Sequence, residues 1–301
     1  MGAGLSRPSS STLATLGLLL VTVVWGSTFF LIKDVVERMP VPDFLALRFA
    51  IATVVLAALQ PGAVRQLSRT GRRRGVVLGA TYGIAQIFQT VGLDRTHASV
   101  SGFITSMYVV FTPLLAGVFL RHRIGRVAWA AVALSTFGLG VLSLKGFHVG
   151  SGEVLTLICA ALYAAHIVGL GAWSTPRNAF GLSIVQMAAI TVVCAVAAAP
   201  DGLTLPPDAA AWAGVVYTAV CAGALALVIQ TWAQAHLAPT RAAIIMTMEP
   251  VFAGAFAVAL GGESLTRRLV LGGGLVLAAM YLAEVGARRG VDADVPHVTA
   301  P

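Results

Sequence analysis

Apolar residues run along this chain in long blocks, each about as long as a helix needs to cross a bilayer, separated by short polar links. A spanning helix takes ~20 mostly apolar residues. Ten blocks fit, at 13–32, 44–60, 76–93, 99–120, 127–144, 154–173, 182–199, 209–231, 240–260 and 269–286. Seven hold no Asp, Glu, Lys or Arg between their ends; the others contain Arg48, Glu249 (with Arg241 at the block's start) and Glu284. Strands of a closed barrel would alternate polar and apolar over ~10 residues, and these blocks are too long and too uniformly apolar for that. The pattern predicts an all-α membrane protein with ten transmembrane helices.

Composition sharpens the prediction. Charged residues are 11% of 301 positions and mean hydropathy is +0.87, against roughly 25% charged in a typical soluble domain. The formal charge of +8 invites a nucleic-acid reading, but the arginines sit between apolar blocks. There they read as topology signals, densest at Arg65, Arg69, Arg72, Arg73 and Arg74. With the N-terminus inside, thirteen Lys and Arg fall on inner links and six on outer ones. The positive-inside rule then puts both termini in the cytoplasm of a bacterial-type inner membrane.

The first block follows Arg7, as a signal peptide's would, but no convincing small-residue cleavage site follows it, so a retained helix is expected. Cys159, Cys194 and Cys221 all fall within predicted spans, without disulfide or metal spacing, and read as packing residues. Residues 1–12 are expected to form a cytoplasmic tail and 290–301 a disordered one. Between them a faint repeat shows. Phe111-Thr112-Pro113-Leu114-Leu115-Ala116-Gly117 and Met248-Glu249-Pro250-Val251-Phe252-Ala253-Gly254 share Pro-x-x-Ala-Gly. It suggests halves at 13–144 and 145–289, five spans each. Because five is odd, the halves must be inverted relative to one another, a common plan of secondary transporters.

Polar side chains in a span are expensive and face a bundle interior or water. Tyr82, Gln86 and Gln89 fall at i, i+4 and i+7, one narrow stripe. Ser101, Thr105, Tyr108 and Thr112 make a second, and Tyr163 and His166 share a face. Interhelical hydrogen bonding explains any single Ser or Thr; aligned stripes with glutamines point to a shared polar cavity. Trp25, deep in the first block, either lines that cavity or packs the bundle. His166 is a proton relay or a neutral core histidine.

Glu249 lies about nine residues into its block, ~13 Å deep at 1.5 Å per residue. It reads as a charge that attracts a cationic group, as a site of proton exchange, or as a carboxyl bonded at the Pro250 kink. Arg48 either snorkels to the interface, binds a substrate carboxylate or pairs with an acid. Pro113 and Pro250 are kinks, static or hinged. Gly79-x-x-x-Gly83 is a close-packing pattern. No Walker-type loop, metal-ligand set or Ser-His-Asp arrangement can be defended, so neither catalytic residue, metal nor cofactor is expected.

The chain resembles the drug/metabolite transporter superfamily, in its EamA-like ten-helix group. The resemblance rests on Trp25-Gly26-Ser27-Thr28-Phe29, Leu47-Arg48-Phe49, Gly152-Glu153-Val154-Leu155, Glu249-Pro250-Val251 and Gly262-Glu263-Ser264-Leu265-Thr266. One departure is Arg121-His122-Arg123-Ile124, where many relatives carry a Gly-Glu-like pair. The resemblance implies two inverted five-helix halves around a central cavity, and movement of small metabolites or xenobiotics, frequently export of amino acids or related compounds. Expected partners are therefore a small-molecule substrate, the lipid bilayer and a proton as candidate coupling ion, with no nucleic acid. A membrane-embedded lipid-modifying enzyme and a non-transporting sensor or scaffold are the alternative readings.

Overall fold

The computed structural model describes residues 9–96, 98–121, 124–143, 150–200, 202–259 and 265–288. Among them every regular element is helical. The helices are α1 (Ser10–Val36), α2 (Val41–Leu59), α3 (Arg69–Asp94), α4 (Ala98–Thr105), α5 (Tyr108–Phe119), α6 (Arg126–Ser143) and α7 (Ser151–Trp173). They continue with α8 (Ala179–Ala198), α9 (Ala209–Tyr217), α10 (Ala226–Gln234), α11 (Pro239–Met246), α12 (Glu249–Ala259) and α13 (Arg267–Arg288). A 3-10 turn at Ala63–Gln66 precedes α3, and a π-helix at Thr218–Leu225 joins α9 to α10. Gly262-Glu263-Ser264, His122 and Arg123, and the ends beyond residues 9 and 288 lie outside the described residues.

Helix makes up most of the described part of each of the ten apolar blocks. Among the described residues seven helical stretches are long and apolar enough to cross a membrane. Large apolar side chains face outward, with Val118 73%, Leu59 70% and Val196 69% exposed. Such a surface is a liability in water and a match for lipid. The protein is a multi-pass membrane protein.

Three predicted spans are not continuous α-helix. The fourth breaks at Ser106 and Met107, between α4 and α5, and Pro113 sits inside α5, past the break. The ninth breaks at Thr247 and Met248, just before Pro250. Proline removes a donor and disfavours helix before it, which explains the second break; Pro113 lies too far along α5 to cause the first. The third irregularity is the π-helix.

Packing pairs the elements in a repeating way. α3 lies along α7, as α9, the π-helix and α10 lie along α1. α3 packs on α8 as the π-helix packs on α2; α4 and α5 meet α7 as α11 and α12 meet α1. α2 meets α8, and α6 meets α13. Exchanging residues 10–143 for 151–288 therefore returns the main helix pairings, though not every smaller contact.

Glycine permits the tightest crossings. A Cβ on Gly79 would stand 2.3 Å from the Gln186 carbonyl oxygen, so α3 and α8 touch backbone to backbone there. A Cβ on Gly26 would stand 2.8 Å from Ala253 N and 2.9 Å from the Glu249 carbonyl oxygen. The Trp-Gly and Glu-Pro motifs, far apart in sequence, thus press against each other. At one end, Arg38 pairs with Asp34 and with Asp208 (2.8 Å), and Asp43 accepts from Thr204 N at 2.9 Å. At the other, Arg241 donates to Ser11 Oγ and Thr15 Oγ1 at 3.0 and 3.2 Å.

Candidate functional site

Two of the predicted stripes face each other across the bundle. Tyr82, Gln86 and Gln89 on α3 meet Tyr163 and His166 on α7, because α3 and α7 pack along their length. The Tyr82 ring stands 5.3 Å from that of Tyr163 and 4.9 Å from that of His166. Gln86 Nε2 donates to the Tyr163 hydroxyl at 2.5 Å, and that hydroxyl donates to Gln89 Oε1 at 2.7 Å. The tyrosine is thereby fixed as acceptor and donor at once.

His166 is held from behind. Its Nε2 lies 2.8 Å from Gln186 Oε1, while Gln186 Nε2 is spent on the Leu182 carbonyl (3.3 Å) and Thr231 Oγ1 (3.4 Å). The network therefore assigns the proton to His166 Nε2. Below it, Gln230 Nε2 donates to Gln234 Oε1 at 3.1 Å and Gln234 Nε2 to the Ile167 carbonyl at 3.0 Å, tying α10 to α7.

Between these walls lies a cavity with about 740 Å³ of atom-free space, part of it open to the outside. Trp25, Arg48, Tyr82, Gln86, Gln89, Thr105, Tyr108, Tyr163, His166 and Glu249 all line it. Every residue that the sequence singled out for substrate or charge is thus in one cavity. Pro113 and Pro250 are not, and Ser101 and Thr112 of the second stripe are buried elsewhere. Sequence reading missed Thr28, Ile32, Thr90, Leu93, Ile167 and Met246 as lining; Gln230 lines it as well. Thr90, one turn beyond Gln86, was the most legible of these.

The charged pair is arranged unusually. Arg48 is turned into the bundle and 4% exposed, so it does not snorkel. Its Nε donates to the Thr218 carbonyl at 3.3 Å, and Phe44 and Phe49 flank it with ring centroids at 5.8 and 5.0 Å. Glu249 is partly buried at the start of α12. Among the described residues no ion pair joins either of them to a partner within 4.0 Å. Trp25 Nε1 donates to the Ala222 carbonyl at 3.0 Å. Arg48 and Trp25 thus both bond carbonyls of the π-helix, and π-turns concentrate at functional sites. Among the described residues the buried hydroxyls of Thr105 and Tyr108, and Gln230 Oε1, have no hydrogen-bond partner, and they sit on the cavity wall. Such groups are costly to bury alone, and a polar solute would relieve them. Among the described residues no cluster of His, Cys, Asp or Glu could hold a metal ion.

A family model described as "EamA-like transporter family" matches residues 12–144 and again 150–284. The chain belongs to the EamA-like transporter family. It is 31% identical over 273 residues to an "Uncharacterized transporter" of Archaeoglobus fulgidus, covering 90% of this chain and 86% of that one. It is 25% identical to the "Uncharacterized inner membrane transporter YedA" of Escherichia coli K12, over 89% and 90% of the two chains. It is 27% identical to a "Probable terminal-alkyne amino-acid exporter" of Streptantibioticus cattleyicolor, over 92% and 96%. A solved crystal structure matches with a TM-score of 0.76 at 18% identity, covering 92% of this chain and 98% of that one, a likeness of fold. Family and relatives are transporters rather than enzymes.

Proposed function

We propose that this EamA-family protein is a secondary transporter that moves amino acids or related small metabolites out of the cell by alternating access. Ten helices cross the inner membrane as two inverted halves, 13–144 and 145–289, with both termini in the cytoplasm. Substrate binds near the midplane, in the cavity lined by Trp25, Tyr82, Gln86, Gln89, Thr105, Tyr108, Tyr163 and His166. Glu249 and Arg48 supply charge, and Glu249 exchanges the proton that couples transport.

One observation carries this reading: the ten polar and aromatic residues singled out in the sequence, from seven separate helices, converge on one cavity in a protein whose outer surface suits lipid. Two inverted halves can open such a cavity to either side in turn. The paired contacts between residues 10–143 and 151–288 support that plan, and the relative named as an amino-acid exporter supports the substrate class. The arginine distribution supports the orientation, and the relative named as an inner membrane transporter supports the location.

Reconstituted protein tests it. Saturable flux of one or more amino acids into proteoliposomes is expected, driven or biased by a pH gradient. Glu249→Gln is expected to lose the response of flux to pH. Absence of flux across an amino-acid and metabolite panel contradicts the proposal; pH-dependent flux unchanged in Glu249→Gln removes the coupling role.

A further inference from the structure

The guanidinium of Arg48 has donors that the fold does not use. Arginine carries five N–H groups, and here only Nε–H meets a protein acceptor, the Thr218 carbonyl. Phe44 and Phe49 lie against the group and leave the two terminal nitrogens without a bonded partner among the described residues. A buried cation without a counter-charge is strongly disfavoured. This one stands in the wall of a cavity, where an incoming anion can meet it. Glu249, of opposite sign, belongs to the same wall and is likewise unpaired. Tyr82 and Tyr163 line the same cavity as both groups. Tyr108, whose hydroxyl has no hydrogen-bond partner among the described residues, lines it too. The cavity therefore carries a guanidinium on α2, a carboxyl group on α12 and the aromatic pair Tyr82–Tyr163 in one lining.

We propose that Arg48 is the residue that selects for an anionic group on the substrate. The free edge of its guanidinium takes a carboxylate, in the two-point geometry that suits arginine and a planar oxyanion. The apolar part of an amphoteric solute lies against Tyr82 and Tyr163, and its cationic group faces Glu249. This rests on the transport reading above and adds the orientation of the solute and the origin of its selectivity.

The test compares pairs of solutes that differ only in the carboxylate: L-amino acids and the amines left by their decarboxylation. Flux of each is measured in proteoliposomes holding the full-length protein, Arg48→Gln or Arg48→Lys. Glutamine keeps a donor for the Thr218 carbonyl and loses the charge; lysine keeps the charge and loses the fork. The wild-type protein is expected to prefer amino acids to their amines. Arg48→Gln is expected to lower that preference by about 10- to 100-fold, the range of a lost charge-assisted hydrogen-bond pair, while amine flux persists. Arg48→Lys falls between. A preference unchanged in both variants overturns the role of Arg48 and leaves transport standing. A wild-type protein that moves no member of any pair overturns both.

Discussion

The Tyr163 hydroxyl donates to Gln89 Oε1 at 2.7 Å, a bond that joins α7 to α3 on the cavity wall. The same hydroxyl accepts from Gln86, so its removal strands two glutamines. Tyr163→Phe is expected to destabilise the protein by about 1–3 kcal/mol, the penalty for buried groups left unpaired. A lower melting temperature in detergent would register it. Solute affinity is expected to fall with it, because Gln86 and Gln89 also line the cavity.

Gly79 offers a separate test of the packing that positions His166. Gly79→Ala forces a Cβ to 2.3 Å from the Gln186 carbonyl oxygen, so α8 must move and Gln186 with it. Backbone cannot yield as a side chain end does, and overpacking of this kind costs typically 1–3 kcal/mol. Gly102→Ala, inside α4, meets nothing within 4 Å and is expected to leave stability unchanged or slightly raised, because alanine is the better helix former. Thermal unfolding of the two variants side by side decides the point.

At the Arg38 end, pH should act through Asp208. The Ala211 N–H that it caps, followed by the Arg38 charge, holds its carboxyl below the usual carboxylate range against the pull of desolvation. A depressed carboxylate stabilises the fold above its unfolded pKa, and that contribution is lost as pH falls through the lower folded value. Asp208→Asn keeps an N-capping oxygen and loses the charge. Its deficit relative to wild type should be present at neutral pH and shrink on acidification below the ordinary carboxylate range. Melting temperatures across pH 3 to 7 check this, and a deficit constant over that range would contradict it.

Much of this architecture was legible in the sequence because hydrocarbon imposes two simple rules, long apolar runs and inward polar groups. Helical phase alone brought Tyr82, Gln86, Tyr108, Tyr163 and His166 to a common wall. Phase fixes a face but not a depth, which is why Ser101 and Thr112, on the correct stripe, are buried away from the cavity. Apolar lining such as Ile32, Leu93 and Met246 gives no signal, since such residues are the background of every span. The π-helix was also hidden. Thr218–Leu225 is composed of small and apolar residues, and two of its carbonyls accept side-chain bonds from Arg48 and Trp25 on other helices. The break at Ser106 and Met107 has no comparable local mark, whereas Pro250 announces the one beside it.

Whether the cavity is the route of transport can be asked with one cysteine. In protein whose three native cysteines are replaced, Ile32→Cys puts a thiol on the cavity wall and Gln66→Cys puts one on an exposed turn. Each is reacted to completion with a bulky maleimide, and amino-acid flux into proteoliposomes is measured before and after. Flux is expected to collapse on labelling at position 32 and to survive labelling at 66. Undiminished flux through fully labelled Ile32→Cys protein would contradict the account.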